Sequence, residues 1–70
     1  MIYSDIARVL RDARGHASSV TQLKMVDKVV YMMADTLANY KNFNAEHFYT
    51  YTEVGNNVPL FNEIGESHEQ

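Results

Sequence analysis

The sequence predicts a small all-α protein: a three-helix domain with a long central helix, followed by an irregular acidic C-terminal tail. Apolar residues recur at helical spacing in three segments, polar residues suited to helix capping precede each segment, and a glycine follows two of them. The chain has 70 residues, which is enough for one domain. We expect this domain over 1–55 and a flexible tail over 56–70.

The first predicted helix runs over about 4–14. Ser4 stands at the N-cap position, and Asp5 places an anion in the first turn, where the helix dipole favours it. Arg14 lies in the last turn, where we expect it to be solvated, and Gly15 is expected to end the helix. The apolar positions at helical spacing are Ile6, Val9, Leu10 and Ala13.

The second predicted helix covers 20–40, about 21 residues without glycine or proline. Ser19 and Gln22 match the capping-box pattern, in which each side chain bonds the backbone N–H of the other residue. Asp27 is expected on its polar surface. Two apolar stripes run along this helix, and the flanking helices are too short to cover both. The main stripe is Leu23, Val26, Val30, Met33 and Leu37, and the second stripe is Met25, Val29 and Met32.

The stretch NFNAEHFYTYTEVG predicts a short third helix over about 45–54. Asn44 is a suitable N-cap, and Phe43 and Phe48 stand at the two positions of a hydrophobic staple. Gly55 is expected to end the helix. The side expected to face the core carries Phe48, Tyr51 and Val54.

The charge distribution argues against general nucleic-acid binding. Residues 1–41 carry six basic and four acidic residues, whereas 42–70 carry five acidic residues and no lysine or arginine, so the net charge is −3. Phosphate neutralisation supplies most non-specific affinity for nucleic acids, and an acidic chain is poor at it. A local contact remains the alternative function, through a basic patch on the first two helices formed by Arg8, Arg11, Lys24 and Lys28.

Motifs for catalysis, metal binding and cofactor binding are missing from the sequence. There is no cysteine, no pair of histidines four residues apart, no G-x-S-x-G turn and no phosphate-binding glycine loop. We therefore expect a non-enzyme without metal or cofactor. No segment approaches the ~20 apolar residues that span a bilayer, and the N-terminal segment lacks the apolar core of a signal peptide. A soluble protein of the cytoplasm, without membrane contact, is the resulting expectation.

The second stripe and the tyrosines present more apolar surface than one small core needs, and a surplus of this kind is typical of interaction surfaces. We therefore predict a non-catalytic protein-binding module, acting either as a homodimer or on a foreign protein. The residues expected to bind the partner are Met25, Val29, Tyr31, Met32, Tyr49, Leu60 and Phe61.

Part of the chain, about 33–54, resembles short helical proteins encoded by bacteriophages. Many of these end in a helix of the form ADxL followed by FNxxxF. The resemblance implies a phage accessory protein, which would inhibit or modulate a host enzyme or defence complex in the host cytoplasm. It identifies no target and transfers no functional residue. The matching positions are Ala34, Asp35, Leu37, Phe43, Asn44 and Phe48.

Overall fold

The computed structural model describes residues 3–58, and this part of the chain consists of helices and turns, with no strand. Helix α1 covers Tyr3–Gly15, α2 covers Val20–Leu37 and α3 covers Ala45–Thr52. The predicted all-α, three-helix architecture is therefore confirmed. The predicted tail beyond Val58, with the partner-binding candidates Leu60 and Phe61, lies outside the described residues.

The ends of α1 differ from the prediction. The helix includes Tyr3, so Ser4 lies inside the first turn and is not the N-cap. Packing explains the extension, because the Tyr3 ring contacts Phe43 in an edge-on arrangement, with 5.5 Å between ring centroids. Asp5 lies in the first turn as predicted. Gly15 is buried and is the last helical residue, so α1 ends one residue later than the predicted end at Arg14.

The buried face of α1 is formed by positions that are three or four residues apart. Ala7, Leu10 and Arg14 are buried on this face. Two residues predicted for the core are instead exposed, since their positions turn away from it. These are Ala13 and Val9, of which Val9 is 65% exposed.

The N-terminus of α2 is capped largely as predicted. The Ser19 hydroxyl accepts a hydrogen bond from the Gln22 backbone N–H at 3.1 Å. The return bond differs, because the Gln22 side-chain oxygen accepts from the Ser18 backbone N–H at 2.9 Å, one residue earlier than in the standard capping box.

The C-terminus of α2 lies at Leu37, three residues before the predicted end. The backbone N–H of Tyr40 donates to the Leu37 carbonyl at 2.9 Å, three residues back, so the chain tightens into a turn there. The predicted main stripe does form the core side of α2: Leu23, Val30 and Leu37 are buried, and Val26 and Met33 are half-buried. Ala34, which the prediction omitted, is also buried on this side.

The predicted start of α3 is confirmed. The Asn44 side-chain oxygen accepts from the His47 backbone N–H at 2.9 Å. The rings of Phe43 and Phe48 meet edge-on with 5.3 Å between centroids, which is the predicted hydrophobic staple. Phe48 is buried in the core and Val54 packs against it, whereas Tyr51, also predicted for the core side, is exposed.

The end of α3 was predicted two residues too late. Thr52 is fully buried and is the last helical residue. Its hydroxyl donates to the Tyr49 carbonyl at 3.1 Å, so the buried polar group is satisfied locally. Glu53 then takes the left-handed backbone conformation, with φ 63°, where Gly55 was expected to end the helix.

Replacing Glu53 with glycine is expected to raise the free energy of unfolding by about 1 kcal/mol, because glycine adopts the left-handed conformation without the Cβ clash. Urea denaturation followed by circular dichroism would measure the change. Glu53→Ala is the matched control, since it removes the same side chain but keeps the Cβ. A gain in both variants would show that the side chain, and not the backbone conformation, is the source of the effect.

Aromatic contacts connect all three helices. Each ring of a continuous row lies 5.3–6.4 Å from the next, measured between centroids, in tilted or edge-on geometry. Such contacts stabilise beyond the area they bury. The row therefore ties α1, α2, α3 and the connection before α3 into one core. In spatial order it consists of Tyr40, Tyr3, Phe43, Phe48, Tyr49 and Tyr31.

A buried ion pair links the end of α1, the middle of α2 and the segment after α3, and this contradicts the solvated position expected for Arg14. The Arg14 side chain is completely buried, and its Nε donates to the Asp27 carboxylate at 2.6 Å. Its Nη2 donates to the same carboxylate at 3.3 Å and to the Asn56 carbonyl. Asp27 also accepts from the Gly55 backbone N–H at 3.0 Å. The segment after α3 is thus fastened to α1 and α2 as far as Asn56.

Candidate interaction surface

The outward side of α2 carries an exposed apolar stripe. Met25 is 61% exposed, Val29 44% and Met32 66%. At about 100° per residue, the three positions lie within about 60° of one another, on the side of the helix opposite its buried face. These three residues are called the outer stripe below. The expectation that part of the second predicted stripe stays uncovered by α1 and α3 is confirmed by these exposures.

Different side chains border the outer stripe. Thr36 continues it beyond Met32, and its hydroxyl donates to the Met32 carbonyl at 3.3 Å, so this polar group is satisfied within the helix. Gln22 continues the stripe at its other end, and its side-chain oxygen is likewise occupied by Ser18.

The outer stripe has two long borders. One border carries the exposed charges Lys28 and Asp35, and the other carries the half-buried Val26 and Met33.

The two tyrosines predicted for the same surface lie elsewhere. Tyr31 is exposed but sits about 120° around the helix from Met25. Its ring contacts that of Tyr49, with 5.5 Å between centroids. Tyr49 is half-buried and packs against the core, so its predicted position off the core face was wrong. Because one face of the short α3 supplies too few core residues, the neighbouring face that carries Tyr49 also packs against the core.

The residues of the predicted basic patch lie on α1 and α2, and their contacts differ. The Arg11 guanidinium lies over the Tyr51 ring of α3, with 5.1 Å from its central carbon to the ring centroid. Arg8 is exposed and contacts the Asp5 carboxylate at 3.4 Å, an interaction within one turn of α1. The other two members, Lys24 and Lys28, are exposed on α2. Arg11 is therefore directed toward Tyr51 of α3.

A cleft of about 280 Å³ lies between α1 and α3. Four aromatic rings line it, together with small and amide side chains and His47. The described lining contains no carboxylate, lysine or arginine, and the Asn44 oxygen at its edge is occupied by the helix cap. The cleft thus lacks the paired acid and base that proton-transfer chemistry commonly uses.

Neither a metal site nor a membrane span was found in the part of the chain that the structure describes. Over residues 3–58, no three side chains of histidine, aspartate or glutamate group together in a way that could hold a metal ion. None of the three described helices has both the length and the apolar character needed to cross a bilayer.

Comparisons with known proteins gave no match: no protein-family model, curated protein or solved structure is detectably similar to this chain. The resemblance of residues 33–54 to phage-encoded helical proteins therefore gains no support from them. Two of the features that carry the resemblance, the Asn44 cap and the ring contact between Phe43 and Phe48, have structural roles in starting α3. Functional inference rests on the surface of the molecule itself.

Proposed function

We propose that this protein is a non-catalytic protein-binding module and that the outer stripe of α2 is its binding surface. The observation that carries the proposal is the alignment of Met25, Val29 and Met32, all exposed, along one side of one helix. Single exposed apolar residues are normal on protein surfaces, but an aligned group is typical of an interaction site.

The physical chemistry of the outer stripe suits a protein partner. Its burial would gain about 25 cal/mol for each Å² of apolar area, before the costs of association are subtracted. The helix that presents it is anchored on its other side by Leu23, Val30 and Leu37, so little conformational entropy is lost on binding. The two methionines have flexible side chains that adapt to an apolar surface.

The narrower form of this proposal is a phage-encoded protein that inhibits or modulates a host protein. It is supported only by the resemblance of residues 33–54 and by the presence of a surface that can bind another protein. The alternative, a small nucleic-acid-binding protein, has less support, because Arg11 lies over Tyr51 and the net charge of the chain is −3.

Site-specific photo-crosslinking tests the proposed surface. A photoreactive benzoylphenylalanine at position 29 is expected to form a covalent adduct with another protein molecule in cells that express the chain. The matched control is the same replacement at Val9, an exposed valine on α1. Adducts from position 29 but not from position 9 would support the proposal. Absence of adducts from position 29, or equal yields from the two positions, would contradict it.

The salt dependence of binding separates the two functions. If the outer stripe binds a protein, the affinity measured with purified components is expected to change only modestly between low and high salt, because apolar burial is not screened and exposed ion pairs contribute little. If the basic residues bind phosphates, affinity for duplex DNA is expected to fall steeply as salt increases. Fluorescence anisotropy with labelled DNA measures the second quantity. Tight, salt-sensitive DNA binding that is lost in Arg8→Ala would favour the alternative.

A further inference from the structure

We propose that the partner of the outer stripe is a second copy of this chain, packed antiparallel along α2 about a twofold axis. This inference rests on the proposed function, since it names the partner of the same surface. Closed twofold dimers are the commonest oligomers of soluble proteins. The order of residues along and beside the outer stripe favours this partner.

The spacing along the outward side of α2 suits packing against another helix. Gln22, Met25, Val29, Met32 and Thr36 follow one another at intervals of three, four, three and four residues. This alternation keeps one seam of side chains facing a partner helix over two heptads. The whole seam lies inside α2, which has 18 residues and is therefore about 27 Å long.

One register places opposite charges together. When two such helices run antiparallel, residues on the same border of the seam face each other. If Val29 packs opposite Met32 of the second copy, then Lys28 falls opposite Asp35 of the second copy. The twofold axis repeats this pair, so each dimer contains it twice. Both side chains are exposed, and neither takes part in any hydrogen bond or ion pair among residues 3–58.

The same register brings apolar residues together along the other border. There Val26 falls opposite Met33 of the second copy. Both residues are half-buried in the single chain, so each has apolar surface left to cover. The two borders are thus complementary at once, one through opposite charge and the other through apolar contact.

Other ways of pairing two α2 helices do not place opposite charges together. Sliding one antiparallel helix by a heptad, so that Val29 packs opposite Met25, brings Lys28 next to Lys28 of the second copy, where like charges repel. A parallel pair places Lys28 beside Met33, without an acidic partner. The charges of α2 therefore favour the register in which Val29 meets Met32.

The dimer is expected to be weak. One helix face of this length is smaller than the standard interface of about 800 Å² per partner, and the dissociation constant should be on the order of micromolar. Exposed ion pairs contribute modestly, but reversal of one charge replaces two attractions with two repulsions. We expect such a reversal to raise the dissociation constant about tenfold.

Light scattering coupled to size exclusion chromatography, with sedimentation velocity for the dissociation constants, tests the inference. The wild type is expected to form a dimer and Met32→Asp a monomer. Lys28→Asp and Asp35→Lys are each expected to dimerise poorly alone. An equimolar mixture of these two variants should recover dimerisation, because every 28–35 contact in the mixed dimer joins opposite charges. Lys24→Asp is the matched control and should dimerise like the wild type.

Each outcome bears on the proposal. Recovery in the mixture, with an unaffected Lys24→Asp control, would support both the second copy and the register. A wild-type dimer without recovery in the mixture would overturn the register. A strictly monomeric wild type at tens of micromolar would overturn the homodimer. In that last case, position-29 adducts with a different protein would leave the proposed function standing, and no adducts would overturn it as well.

Discussion

Asp27→Ala is expected to lower the free energy of unfolding by about 3–5 kcal/mol, the usual effect of removing one partner from a buried ion pair. The substitution would leave the Arg14 guanidinium completely buried without a counter-charge. It would also remove the acceptor of the Gly55 backbone N–H. The Arg14 Nη1 has no hydrogen-bond partner within the described residues, so the guanidinium depends on Asp27 and Asn56 for its hydrogen bonds there. Urea denaturation monitored by circular dichroism measures the loss.

Two further variants test whether the loss of stability comes from breaking the buried ion pair. Asp12→Ala removes an exposed aspartate of α1 and is expected to change the free energy of unfolding by only about 0.5 kcal/mol. Arg14→Met combined with Asp27→Leu replaces the pair with apolar groups and should recover much of the stability lost in Asp27→Ala. If Asp27→Ala unfolds at the same urea concentration as Asp12→Ala, the ion pair does not stabilise the fold as we infer.

Phe48→Ala is expected to cost about 3–5 kcal/mol, the usual effect of deleting a buried phenylalanine side chain. Phe48 is 4% exposed and contacts the rings of both Phe43 and Tyr49, so its removal interrupts the aromatic row at its centre. A domain of this size has little stability in reserve, and the thermal transition should move down by tens of degrees or disappear.

Tyr51→Ala is the matched control for Phe48→Ala, because Tyr51 belongs to the same helix and is 40% exposed, against 4% for Phe48. We expect a markedly smaller fall in its melting temperature, arising mainly from the lost contact with Arg11. Thermal denaturation by circular dichroism compares the two variants. A wild-type melting temperature for Phe48→Ala would mean that α3 is not docked through this side chain.

Local signals explain the parts of the fold that could be predicted from sequence. The Asn44 cap and the Phe43–Phe48 staple involve residues only a few positions apart, so their pattern is readable directly. Helix ends were less predictable. Tyr3 joins α1 because of contacts with rings about 40 residues away, and Thr52 ends α3 while buried by its surroundings. Tertiary packing of this kind leaves no mark in a short window of sequence.

The buried Arg14 illustrates the same limit at the level of one side chain. A basic residue in the last turn of a helix is normally solvated, and only the arrival of Asp27 and Asn56 allows it to be buried. The candidate surface was partly predictable, because the spacing of Met25, Val29 and Met32 shows that they share a side. The spacing of Lys28 and Asp35, seven residues apart beside that stripe, was also readable, but their complementarity needs the exposed face to be known first.

The ion pair of Arg14 also bears on how fast the protein unfolds. It joins residues far apart in the chain, because Asn56 follows Arg14 by 42 positions and Gly55 follows Asp27 by 28. Contacts that close long loops form after the local helices, because the loop entropy must be lost first. Interactions absent from the transition state act on the unfolding rate and leave the folding rate nearly unchanged. We therefore expect the cluster to lengthen the lifetime of the folded state, with little effect on the folding rate.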